Sequence, residues 1–107
     1  MAQRPMPQAC SPRELLDDSL TLHDHCMGAG LTEASYHALA TALLCAQATS
    51  SRKAIGLVIE LAHIRQQAID AERPSHPLST VEARARGAIP LFVSLATAAE
   101  AIRTSLG

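Results

Sequence analysis

From Leu15 to Leu106 the apolar residues recur at spacings of three and four, and no segment alternates with a period of two. The first period lines up side chains on one face of a helix, whereas a half-buried strand needs the second. The chain is therefore expected to be all-α. Its glycines and prolines then decide where each helix stops.

Residues 1–10 hold Pro5 and Pro7 and carry no apolar period, so they are expected to form a flexible N-terminal tail. Residues 11–107 are expected to form a single helical-bundle domain. Ser11-Pro12-Arg13-Glu14 is a helix start: Ser11 can accept from the Glu14 amide, Glu14 can reach back to the Ser11 amide, and Pro12 fills a position whose N–H is not needed. Leu15, Leu16, Ser19, Leu20, Leu22, His23, Cys26 and Met27 follow at helical spacing until Gly28-Ala29-Gly30 ends the run. Thr32 is expected to cap the next helix, with Glu33 well placed against its dipole.

The stripe Leu39, Ala42, Leu43, Ala46 continues in phase through Ala54, Leu57, Leu61, Ile64 and Ala68. Thr49-Ser50-Ser51 interrupts it chemically but not in register. Two readings stay open: a break near Ser50 with Ser51 capping a new helix, or one helix from Glu33 to Glu72 about 60 Å long. Pro74-Ser75-His76-Pro77 is a loop, because proline disfavours helix for itself and its predecessor. Ser79-Thr80-Val81-Glu82 repeats the capping pattern and opens a last helix, expected to be loosened at Gly87 and kinked at Pro90. The expected fold is an antiparallel helical bundle of three or four helices.

Composition narrows the function classes. Of 107 residues, 48% are hydrophobic and 2% aromatic, and the formal net charge is −1. There is no basic excess to neutralise phosphates and no set of aromatics on which bases could stack, so no nucleic-acid partner is expected. The start lacks the apolar core of a secretory signal, and the most apolar stretch, 87–99, is too short and mixed to span a bilayer. No membrane partner is expected, and the location is read as cytoplasmic. Cys10, Cys26 and Cys45 are accordingly read as free thiols.

The densest polar cluster is His23-Asp24-His25-Cys26. Folding back across Gly28-Ala29-Gly30 pairs residues whose numbers sum to about 60, which brings His23 level with His37 and Cys26 near Glu33. Cys26, His23, His37 and Glu33 are thus a candidate metal set, with thiolate and nitrogen donors suited to zinc or monovalent copper. The plainer reading is a histidine group favoured by the helix C-terminal dipole, with no cofactor. Glu60 and His63 share a helix face in the Glu-x-x-His pattern of di-iron bundles, but the pattern occurs once where such centres need it twice. Arg65, Arg73, Arg84 and Arg86 are candidates for an anion or partner patch around Pro74–Pro77. No phosphate loop and no nucleophile elbow is present, so no enzyme is expected.

The segment 19–51 resembles part of the cysteine-rich four-helix-bundle copper-binding and copper-storage family. The shared order is His25-Cys26, then Gly28 and Gly30, then Leu43-Leu44-Cys45-Ala46. That family pairs its cysteines four apart; here Leu22 precedes Cys26, Thr49 follows Cys45, and no cysteine occurs after Cys45. The resemblance implies a cysteine-poor relative with a hydrophobic core.

Ile55, Val58, Ile59, Ala62 and Ile69 form a second stripe beside the first, more apolar surface than a short bundle buries. The expected function is a non-enzymatic interaction module that self-associates as a homodimer or binds a partner helix through aliphatic faces. A charge at Leu57 or Phe92 is expected to disrupt such assembly. The rival is a soft-metal binder using copper or zinc at Cys26.

Overall fold

The computed structural model describes residues 11–106. The tail expected over residues 1–10 lies outside the described residues. Five helices follow in order: α1 Pro12–Gly28, α2 Thr32–Ala48, α3 Arg52–Glu72, α4 Thr80–Ala85 and α5 Leu91–Ser105. There is no strand among the described residues. None of the helices is long and apolar enough to cross a membrane.

Three starts are capped by serine. The hydroxyl oxygens of Ser11, Ser51 and Ser79 accept from the amides of Glu14, Ala54 and Glu82 at 3.2, 3.1 and 3.1 Å. Each supplies a partner to an N–H that the helix itself leaves unbonded. Glu14 does not need the Ser11 amide, because the Ser11 hydroxyl donates to its carboxylate at 3.2 Å. Thr32, expected as a cap, is the first residue inside α2, and the capping position belongs to Leu31, which offers no side-chain bond.

The reason lies in how α1 ends. The Leu31 amide donates to the Cys26 carbonyl at 2.8 Å and the Gly30 amide to Met27 at 3.1 Å, with Gly30 at φ +76°. This is a Schellman closure with glycine in the left-handed position. It commits Leu31 to the turn, so the chain enters α2 directly from it.

The same closure occurs twice more and settles two readings of the sequence. After α2, Ser51 donates to Ala46 at 3.0 Å and Ser50 to Gln47 at 3.0 Å, with Ser50 at φ +50°. The α2–α3 stretch is therefore two helices, broken at a serine that takes the place of a glycine. After α4, Ala88 donates to Ala83 at 2.8 Å and Gly87 to Arg84 at 2.9 Å, with Gly87 at φ +68°. The helix expected to bend at Pro90 is thus divided. Gly87 closes α4, the residue before a proline avoids helical backbone, and Pro90 stands at the N-cap of α5 with extended backbone. Among the described residues five helices stand where three or four were expected.

Arg73 reaches back from the end of α3 to Thr32 at the start of α2, so α3 runs antiparallel to α2, as α2 does to α1. Hence α1 and α3 are parallel, and α5 packs on α3 in the opposite sense, with Arg103 beside Gly56. This packing is consistent with a bundle. Leu39, Ala42, Ala46, Ile55, Val58, Phe92 and Ala99 are fully buried and share one core with Leu16, Leu43, Ala62, Leu78 and Leu95. Phe92 is at the centre of it, edge-on to Tyr36 with ring centroids 5.6 Å apart. It is no part of an exposed face, so a charge there would attack the fold before any assembly.

A short polar joint fixes α4 to the end of α3. The Asp70 carboxylate accepts from the Thr80 amide at 2.7 Å, the Thr80 hydroxyl at 2.6 Å and the Gln66 amide at 3.1 Å. Burial pushes the Asp70 carboxyl upward, but the Thr80 and Gln66 bonds and the Arg84 charge outweigh it and hold the group below its ordinary value. Gln66 also donates to the Leu78 carbonyl at 3.1 Å, while its own Oε1 is buried with no partner among the described residues.

Candidate functional site

The backbones of α1 and α3 do not approach each other closely, although both helices lie against α2. The space between them is an open groove of about 530 Å³. Leu16 and Leu20 of α1 and Ala54 and Leu57 of α3 make its apolar surface, and Arg13, Asp17, Lys53 and Glu60 bring charges to it. The sequence creates this groove by its periodicity. Leu16 and Leu20 sit at the edge of the stripe that α1 turns toward α2, and Leu57 sits off the buried Ile55–Val58–Ile59 stripe, 40% exposed.

Further along, the two helices are bridged. His23 is fully buried; its Nδ1 lies 2.8 Å from the Ser35 carbonyl, and its Nε2 accepts from Arg65 Nε at 2.9 Å. An acceptor at Nε2 requires the proton on Nδ1, which donates to Ser35, so the ring is neutral. Arg65 continues to Asp24 with an ion pair of 3.0 Å. Burial lowers the His23 pKa and the Arg65 charge adds to this, against the Ser35 bond and Asp24. One histidine thus ties α1, α2 and α3 together. Ser35 is held in turn by donating its hydroxyl to the Thr32 carbonyl at 2.6 Å.

The four candidate ligands are distributed differently from the sequence expectation. Cys26 and His23 are buried, whereas Glu33 and His37 stand on the exposed face of α2. Among the described residues, no group of three or more His, Cys, Asp or Glu side chains is placed to hold a metal ion. Both His23 nitrogens are already used. Glu60 and His63 are exposed, and Glu60 belongs to the groove.

The four arginines do not gather at the Pro74–Pro77 loop. Arg65 serves His23 and Asp24, Arg73 donates to Thr32 at 3.4 Å, Arg84 lies near Asp70, and only Arg86 reaches the loop, donating to the Pro77 carbonyl at 2.9 Å.

Ser35 and Arg65 are the functional-site residues that the sequence reading passed over as partners of His23. The signal was available: folding back at Ser50 pairs residues summing to about 100, which sets Ser35 level with Arg65. In comparisons with known proteins, no family model matches this chain, and no curated protein or solved structure matches it either.

Proposed function

We propose that the chain is a non-enzymatic interaction module whose binding element is the α1–α3 groove, and that the groove takes an amphipathic helix. The observation that supports this reading is the groove itself: two parallel helices, held apart over Leu16, Leu20, Ala54 and Leu57, bridged by Arg65 further along. A helix laid between two others offers leucine-sized side chains at spacings of three, four and seven, which is the pattern such a surface accepts. Acid and base at the rim favour a partner that is itself amphipathic over a purely apolar ligand. What favours the groove reading over a soft-metal site at Cys26 is that both His23 nitrogens have hydrogen-bond partners and that His37 and Glu33 are exposed.

The test is amide chemical-shift mapping of the whole chain with an excess of a synthetic helical peptide carrying one leucine stripe flanked by Glu and Lys. Shifts should centre on Leu16, Leu20, Ala54 and Leu57 and vanish in Leu57→Asp. Shifts that avoid the groove, or survive Leu57→Asp, would refute the proposal.

A further inference from the structure

The charges along the groove are ordered. Because α1 and α3 are parallel, Arg13 lies level with Lys53 at the end where both helices begin, and Asp17 and Glu60 follow one to two turns on. The N-termini of α1 and α3 add the positive ends of two helix dipoles to the Arg13–Lys53 end. The groove is therefore basic at its start and acidic beyond, with Leu16, Leu20, Ala54 and Leu57 between.

A surface with this polarity is complementary to its own reverse. A two-fold rotation perpendicular to the groove turns one copy end for end and lays its basic end over the acidic end of the other. We infer that the groove's occupant is a second copy of this chain, with α3 of each copy seated in the groove of the other. This rests on the groove reading above and names its partner.

The numbers of α3 place the axis. In an antiparallel pair of α3 helices, Lys53 faces Glu60 of the second copy when the dyad passes between Gly56 and Leu57, since the two positions lie equally far from that point. Leu57 then stands at the centre, half-exposed in the single chain and covered in the pair. Gly56 presents no side chain there, and a Cβ added to it would meet only the Arg103 side chain of its own copy, at 3.8 Å. A net charge of −1 leaves little overall repulsion to oppose pairing.

Sedimentation equilibrium on the full chain between about 5 and 500 µM tests this by mass action. Twice the chain mass is expected at the upper end. Leu57→Asp, with unchanged far-ultraviolet dichroism, should leave a monomer throughout. Lys53→Glu and Glu60→Lys should each weaken pairing about tenfold, and the two together should recover to within about threefold of the original, because the reversed charges meet again across the dyad. A monomer at every concentration, with peptide shifts still in the groove, overturns the second-copy inference and leaves the groove reading in place. A dimer indifferent to Leu57→Asp, or a double reversal whose losses simply add, overturns the arrangement. Absence of both pairing and peptide shifts sinks both readings.

Discussion

Replacing His23 by leucine removes the joint between α1, α2 and α3 while keeping an apolar side chain of similar size in a fully buried place. Two hydrogen bonds are lost, one from Nδ1–H to the Ser35 carbonyl and one accepted from the Arg65 guanidinium. A neutral bond contributes about 0.5–1.5 kcal/mol and one to a charged group about 1.5–3, so the variant should be about 2–4.5 kcal/mol less stable near pH 8. The pH dependence is the sharper reading. The folded His23 pKa lies below 6.5, so on acidification the unfolded chain takes the proton first. The stability due to the neutral ring is complete above pH 6.5 and is lost as pH falls below it, by at most about 1.4 kcal/mol per pH unit for one proton. Urea unfolding of both proteins by circular dichroism at pH 8, 6 and 5 measures the difference, and the other histidines cancel in the comparison. The gap between the proteins should narrow from pH 8 to pH 5. A gap that stays constant, or a variant as stable as the original at pH 8, would refute the assignment of a buried neutral His23.

Other outcomes follow from the turns and the core. Ser50→Gly should raise stability by about 0.5–1 kcal/mol in thermal melts, since relief of a left-handed serine outweighs the extra freedom of unfolded glycine. Phe92→Ala should cost about 3–5 kcal/mol in urea titrations, and Phe92→Asp should abolish the helical dichroism altogether. Asp70→Asn places an amide group against the Thr80 amide or hydroxyl and should cost about 1–3 kcal/mol, seen as faster hydrogen exchange over Thr80–Ala85. In the unmutated chain the Asp70 contribution is present above pH 3.8 and is lost only as pH falls through its lowered folded value.

The helices were legible because their signals are local. Ser11, Ser51 and Ser79 announce their caps within four residues, and Gly30 announces the first turn. Ser50 did not announce the second, since serine rarely adopts the left-handed backbone and the apolar stripe runs past it in phase. That one ambiguity hid the site. With α2 and α3 read as possibly continuous, nothing set Arg65 beside His23, and His37 took the place that belongs to Ser35. The hairpin arithmetic was right to within about one turn, but a side chain one turn off, or one position round, points to solvent. The groove was invisible for another reason: it depends on the backbones of α1 and α3 staying apart, a property of helix packing and not of either stripe.

The meeting of Tyr36 with Phe92 gives the molecule a private optical signal. The chain has one tyrosine and no tryptophan, so its intrinsic fluorescence and near-ultraviolet dichroism arise almost entirely at the α2–α5 contact. Far-ultraviolet dichroism, by contrast, averages over the helices α1 to α5 together. The two spectra therefore separate loosening of that one contact from loss of helix, and a state in which the helices persist while α5 has moved away from α2 would be visible without any label.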